Sequence, residues 1–318
     1  MTDSNLSGMK LFCGSSHPKL GEEIAGYLNI ECAKIKISRF SCGEIYARVL
    51  ETTRGIDTFV LQTGSSNVNE DIMELFIIID ALKRASAKSI NVIIPHYAYA
   101  RQDKKSAPRE PISARLIADL LTTAGINRII TMDLHADQIQ GYFNVPVDHL
   151  TALPLFARYF ANKGIKDAVV VAPDTGRAKM AKKFSDKIGA QLAILHKSRP
   201  EHNVADIMHV VGDVKDKTVI LFDDMVDTGG SVTQGLKVLR EHGANPEIYL
   251  ATTHPVFSGP AIERLTNANF KEVVTTNTIP IPKEKQFPGL KIISAAPLLA
   301  EAISRNFSNK SISELFEA

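Results

Sequence analysis

KTVILFDDMVDTGGSVTQGLKVL, residues 217–239, is the stretch on which the reading of this chain turns. A β-branched apolar run, TVILF, ends in two carboxylates, Asp223 and Asp224. Asp227 follows, and Thr228-Gly229-Gly230-Ser231 then opens a segment of helical period. A strand that passes through a glycine turn straight into a helix is half of a βαβ unit. Similar short apolar runs recur at FVLQT (59–63), INVIIP (90–95), RIITMDLH (128–135), AVVVAP (168–173), LAILH (192–196), EIYLATTH (247–254) and EVVTTN (272–277). Between them lie helix-period segments, among them IMELFIIIDALKRASA (72–87), ISARLIADLLTTAG (112–125) and SVTQGLKVLREHG (231–243). The last two close on the glycine expected just past a helix C-terminus. Strands alternating with helices predict an α/β fold with mainly parallel sheets covered on both faces.

The 318 residues allow about two domains at roughly 150 residues each. An internal echo agrees with that division, because LLTTAGINRIITMDLH (120–135) returns loosely as VLREHGANPEIYLATTH (238–254). The change of half falls near DHLTALPLF (148–156), with no Gly/Ser-rich linker, which predicts domains at 8–150 and 151–318. The last ~20 residues, with the apolar-polar tail SISELFEA, are expected to pack back on the first domain.

With 37 Lys+Arg against 35 Asp+Glu the net charge is +2, too small a field to hold nucleic acid or an anionic membrane. Cys13, Cys32 and Cys42 form no C-x-x-C pair and are odd in number, which argues against a disulfide framework or a cysteine zinc site and points to a reducing compartment. The first ten residues are polar, and no apolar run approaches the ~18 residues of a membrane span. The expected location is the cytoplasm.

Thr228, Gly229, Gly230 and Ser231 place backbone N–H groups and hydroxyls at a helix N-terminus, where phosphate binds. Carboxylates beside a phosphate cradle would repel it unless they serve another purpose. Asp223 and Asp224 therefore suit sugar hydroxyls or a cation, and the whole suits a phosphorylated sugar. The plain alternative is an acidic turn before a well-capped helix. Neither G-x-x-x-x-G-K-[ST] nor G-x-G-x-x-G occurs in the chain.

VILFDDMVDTGGS resembles the sugar-phosphate motif shared by phosphoribosyltransferases and the ribose-phosphate diphosphokinases, the phosphoribosyl pyrophosphate synthetases. DLHADQIQGYFNVPVD (133–148) resembles the diphosphokinase signature along its whole length, and ordinary phosphoribosyltransferases lack it. RFSCGE (39–44), the run 68–105, REPISARL (109–116), KSRPEHNVAD (197–206) and THPVFSGPAIERL (253–265) extend the likeness over essentially the entire chain. It is to the bacterial, class I type.

The resemblance implies two tandem phosphoribosyltransferase-like domains, ATP bound on the side of the first and ribose 5-phosphate in the second. It implies transfer of the β,γ-diphosphoryl group of MgATP to the C1 hydroxyl of the sugar, with AMP leaving. Lys197 and Arg199 match the catalytic basic pair, and Ser198 stands where many relatives carry a further base. Arg199, Asp223, Asp224, Asp227, Thr228, Gly229, Gly230 and Ser231 match the ribose 5-phosphate site.

Phe40, Cys42, Gly43, Glu44, Arg101 and Gln102 match the ATP site, whose adenine pocket is completed across a subunit boundary with Phe40 stacking. An isolated Phe is otherwise an ordinary core residue. Relatives usually have Asp or Asn at Cys42, and a thiol is a poor acceptor for an exocyclic amine. Lys104, Lys105 and Arg109 make the stretch after Arg101 a basic segment suited to a triphosphate. His135 and Asp174 match the Mg2+ positions, with Asp133 an assistant, and Arg177 replaces the second of two glycines that many relatives have after Asp174.

The family forms hexamers, and many members bind ADP or inorganic phosphate at an interface site with residues like Thr52, Arg54, Ser86, Ser311, Ile312, Ser313 and Phe316. Two other readings stand beside this one. A catalytically silent regulatory relative would typically lose the Lys/Arg pair or the Asp-Asp motif, and both are kept. A phosphoribosyltransferase, or a sugar-phosphate-sensing regulator of that fold, would leave the first half without a role.

Overall fold

The structure is a computed structural model that describes residues 6–198 and 207–317. The chain divides into two compact units, residues 1–151 with 278–280 and 294–318, and residues 152–277 with 281–293. The C-terminal segment thus belongs to the first unit. No helix among the described residues is long and apolar enough to cross a membrane.

In the first unit β1 (Met9–Cys13) leads through α1 (Pro18–Leu28) to a hairpin of β2 (Ile35–Arg39) and β3 (Ile45–Val49). Then come β4 (Asp57–Leu61), α2 (Val68–Arg84), β5 (Ser89–Ile94), α3 (Ser113–Ala124), β6 (Arg128–Met132) and β7 (Val147–Leu150). The sheet order is β1-β4-β5-β6-β7 and every neighbouring pair is parallel. Four of the five residues in each of β4 and β6 are buried, the continuous pattern of a strand covered on both faces. The core joins Phe12, Val60, Ile78, Val92 and Ile129 to Leu121 of α3.

The second unit opens with α4 (Leu153–Lys163), β8 (Ala168–Ala172), α5 (Ala178–Ile188), β9 (Gln191–Ser198), β10 (Ile207–Val211) and β11 (Thr218–Val226). It continues with α6 (Gly230–Glu241), β12 (Tyr249–Pro255), α7 (Ala261–Ala268), β13 (Glu272–Thr276) and β14 (Leu290–Ile293). The order is β10-β9-β8-β11-β12-β13-β14, parallel except for β10 against β9. The last long helix, α8 (Ala296–Phe307), lies in the first unit beside α1, where Asn306 donates to Asp148 Oδ2 at 2.8 Å.

The echo in the sequence has a structural counterpart. Both copies are βαβ units joining adjacent parallel strands, β5-α3-β6 and β11-α6-β12. Each helix is followed by a left-handed glycine, Gly125 at φ 117° and Gly243 at φ 78°. Two residues later Asn127 donates its N–H to Ile90 O at 2.8 Å, and Asn245 donates to Lys217 O at 2.9 Å.

The hairpin β2–β3 and the antiparallel edge strand β10 lie outside the runs of buried apolar residues in the sequence. The hairpin has a half-buried pattern with no continuous apolar run, so a search for buried parallel strands passes over it.

Aromatic packing holds the second unit beneath its site. Phe222 lies 4.6 Å from Phe184 and 5.8 Å from Phe156 between ring centroids, and all three are fully buried. Phe222→Ala is expected to cost about 3–5 kcal/mol through lost transfer energy and the cavity left behind. Urea denaturation midpoints of the two proteins measure it.

Candidate active site

The strand order decides where the second unit can bind a ligand. From β8 the chain passes to β9 on one side, then crosses to β11 on the other side of β8. Between β8 and β11 the winding direction reverses, and in open parallel sheets ligands bind outside the carboxyl ends of strands at such a reversal. Among the parallel strands of the first unit, β1-β4-β5-β6-β7, there is no reversal. Asp174 follows β8, and Asp223 and Asp224 lie towards the end of β11. The register Ala172–Ile194 between β8 and β9 carries the Lys197 backbone past the same edge. Lys197 is in register with Met208 of β10. Its side chain, and Arg199 altogether, lie outside the described residues.

The turn after β11 is built for close approach. Gly229 caps α6 at φ 73°, a left-handed conformation that favours glycine. The first backbone bond into the helix runs from the Thr233 N–H to Gly229 O at 3.1 Å. The amides of Gly230, Ser231 and Val232 precede it and are the donors a helix start offers an anion. A Cβ on Gly230 would sit 3.3 Å from Arg264 Nη1. Thr228 and Ser231 are exposed.

Two contacts from outside the turn fix its shape. Arg264 of α7 donates to Thr228 O at 3.1 Å, and the Ser258 hydroxyl donates to Asp227 Oδ1, with the Ser258 N–H on Asp227 O at 3.0 Å. Asp227 is thereby a brace of the loop. Neither Ser258 nor Arg264 stands out by residue type. Their one signal in the sequence is the segment THPVFSGPAIERL, which holds both.

Arg177 explains how two adjacent carboxylates are accommodated. Asp174 caps the turn after β8, accepting from the Arg177 N–H at 3.1 Å. The Arg177 side chain then reaches across the crevice, placing Nε 3.1 Å from Asp224 Oδ1 and 3.9 Å from Asp223 Oδ1. Asp224 is 1% exposed, so an unneutralised charge there would be costly. Burial is the main force pushing the Asp223 carboxyl well above its ordinary 3.8; repulsion from Asp224 adds to it and the Arg177 guanidinium opposes it. Arg177 is therefore directed onto the carboxylate pair.

In the first unit Phe40, Cys42, Gly43 and Glu44 form the tip of the β2–β3 hairpin. The Phe40 N–H donates to Glu44 O at 2.9 Å and the Gly43 N–H to Phe40 O at 2.8 Å. Phe40 is 55% exposed, which removes the reading of it as a core residue. Arg39 pairs with Glu70 of α2 and seats the hairpin. Arg101 and Gln102 are exposed in the loop after β5. That loop turns at Tyr99, a non-glycine at φ 63°, whose carbonyl accepts from the Gln102 N–H at 2.9 Å. His135 follows β6 and is half-buried, close behind the buried Asp133. His135 and Asp174 belong to different units. Among the described residues no three His, Cys, Asp or Glu side chains form a cluster that could hold an ion alone.

Residues 9–125 match the N-terminal domain of ribose phosphate pyrophosphokinase, and residues 200–317 match the phosphoribosyl synthetase-associated domain. The chain is 50% identical to the ribose-phosphate pyrophosphokinase of Fusobacterium nucleatum over 314 residues, covering 98% of this chain and 99% of that one. It is 52% identical to the enzyme of that name from Caldanaerobacter subterraneus, with 98% of each chain covered.

This chain belongs to the ribose-phosphate pyrophosphokinase family.

The crystal structure of phosphoribosylpyrophosphate synthetase from Mycobacterium smegmatis superposes with a TM-score of 0.90 at 48% identity, over 95% of this chain and 99% of that one. The crevice between β8 and β11 combines backbone N–H donors at a helix start with two carboxylates at a strand end.

The raised Asp223 carboxyl has a consequence for stability. The folded state holds that proton more tightly than the unfolded chain, so its contribution is complete below the ordinary carboxylate value of 3.8 and is lost as pH rises through the higher folded value. Asp223→Asn is expected to flatten this fall, and Arg177→Gln to extend it to higher pH, in urea stability measured at successive pH values.

Proposed function

We propose that the protein transfers the β,γ-diphosphoryl group of MgATP to the C1 hydroxyl of ribose 5-phosphate, giving 5-phosphoribosyl 1-diphosphate and AMP. The observation that carries this is the juxtaposition of an Asp223-Asp224 strand end with a left-handed Gly229 helix start at the reversal of a parallel sheet. A phosphate cradle immediately beside carboxylates fits a substrate with phosphate at one end and hydroxyls at the other.

The amides of Gly230 to Val232 and the hydroxyls of Thr228 and Ser231 bind the 5-phosphate. Asp223 and Asp224 accept from the ribose hydroxyls, which orients C1. Asp227 holds the loop through Ser258. Lys197 and Arg199 stabilise charge growing on the transferred phosphoryl oxygens; the arginine acts as a planar fork and the lysine as a point charge. On the ATP side Phe40 stacks on the base with Cys42, Gly43 and Glu44 around it, and Arg101 and Gln102 take the phosphates. An exposed aromatic ring at a hairpin tip supports this use of Phe40.

Mg2+ prefers oxygen ligands, retains water and commonly takes one or two carboxylates with substrate phosphates. The exposed Asp174 suits that mode, and by family likeness His135 is a metal position as well. A bound ion would supply positive charge to offset the negative charge of the phosphates.

Completion of the base pocket by a neighbouring subunit makes the working form an oligomer, a hexamer by family likeness. The ADP or phosphate site uses Thr52, Arg54 and Ser86 with Ser311, Ile312, Ser313 and Phe316. Its support is local: Arg54 bridges Ala87, Gly55 donates to Ser86 O at 3.1 Å, and Arg305 holds Ser311 O at 2.7 Å. The Phe316 side chain lies outside the described residues.

Phosphorus NMR of the protein with MgATP and ribose 5-phosphate tests the reading. AMP and 5-phosphoribosyl 1-diphosphate are expected, and ADP in their place would indicate an ordinary kinase. Lys197→Ala is expected to abolish turnover, by 100-fold or more on the order of a lost transition-state charge contact, with the melting temperature nearly unchanged. Near-normal turnover would remove Lys197 from catalysis.

A further inference from the structure

Two of the three cysteines, neither of them named for the site, meet within the first unit. Cys13 ends β1 and Cys32 lies between α1 and β2, with their Sγ atoms 3.3 Å apart and both side chains half-buried. The backbone holds them there from both sides. The Ala33 N–H donates to Leu11 O at 2.7 Å, fixing the Cys32 segment along β1, and the Ile30 N–H donates to Ala25 O at 3.0 Å at the end of α1.

Gly21 of α1 provides the room. A Cβ at that position would lie 2.1 Å from Cys13 Sγ, so any larger residue would displace the sulfur. A disulfide needs an S–S separation of about 2.05 Å, so the two sulfurs stand roughly 1 Å outside bonding distance.

We propose that Cys13 and Cys32 are a modification site, a thiol pair that a hydroperoxide oxidises to an intramolecular disulfide. Cys32 is the attacking group, because it lies in the connection between α1 and β2 whereas the Cys13 sulfur is packed against Gly21 of α1. The Cys32 thiolate attacks one peroxide oxygen and the O–O bond breaks. The leaving oxygen is protonated and departs, as water from hydrogen peroxide or as an alcohol from an organic hydroperoxide, and Cys32 is left as the sulfenic acid. Cys13 sulfur then attacks the Cys32 sulfur, the S–O bond breaks, and the oxygen departs as water with the Cys13 proton. With hydrogen peroxide, two thiols lose two electrons and two protons and two waters form. The bond would tie the start of β2 to the end of β1, across α1.

Trypsin separates the three cysteines. Cleavage after Lys10, Lys19, Lys34, Arg39 and Arg48 places Cys13 in peptide 11–19, Cys32 in 20–34 and Cys42 in 40–48. Wild-type protein is treated with one equivalent of hydrogen peroxide, alkylated and digested without reductant for mass spectrometry. The expected product is 11–19 joined to 20–34, two hydrogens lighter than their sum, with 40–48 alkylated.

The link should disappear with dithiothreitol and in Cys32→Ser, and the melting temperature of the oxidised wild type should rise reversibly. Alkylation of both peptides, their separate conversion to sulfinic acids, or a link to 40–48 overturns the proposal. The wild-type digest decides even if the variant folds poorly.

Discussion

Everything assigned to the second unit depends on one pairing, β8 against β11, in register from Ala168–Thr218 to Val171–Leu221. It brings together strands that are consecutive neither in the chain nor in winding direction. A parallel sheet wound one way throughout covers its carboxyl edge with connections that all lean alike. Where the direction changes, neighbouring connections part and expose the strand ends. Asp174 lies on one side of that parting and Asp223, Asp224 and the glycine turn on the other. Because β9 also flanks β8, the Lys197 backbone reaches the same edge. The chemistry of the crevice thus follows from hydrogen-bond register.

The crevice also has to remain folded without a ligand. Two adjacent carboxylates, one of them 1% exposed, are an electrostatic burden relieved in part by Arg177. Truncating one partner of a buried ion pair generally costs about 3–5 kcal/mol, because the other charge is left uncompensated. The same arginine is tied through its backbone to Asp174, so the turn after β8 and the end of β11 share a network. Charge at this edge is therefore set by three side chains together, and the chain-wide excess of +2 says nothing about it.

The sequence made the α/β class legible because the buried parallel strands are continuous apolar runs, and the echo marked the duplicated βαβ unit. TVILFDD and DTGGS placed the carboxylates and the glycine turn correctly, since local chain order alone sets a strand-turn-helix. What escaped depended on contacts between distant residues. Arg264 and Ser258 meet the turn from 36 and 31 residues away, and periodicity carries no trace of such meetings. Arg177 was visible as a substitution, while its direction towards Asp224 was set by the strand order. The β2–β3 hairpin escaped for a different reason. It is half-buried, and its pattern is diluted by polar residues at alternate positions.

That hairpin differs energetically from the sheet beside it. Among the described residues it has two strands and no third partner, and an isolated pair of strands is marginal in water. The Arg39–Glu70 ion pair is about half exposed and adds at most about 1 kcal/mol. Its order therefore rests on Ile35, Ile37, Ala47 and Val49 against the core and on contact with α2. Such a piece keeps its order through its neighbours more than through its own hydrogen-bond ladder. The tip that carries Phe40 thus takes its position from α2 and from the core face on which the two strands lie.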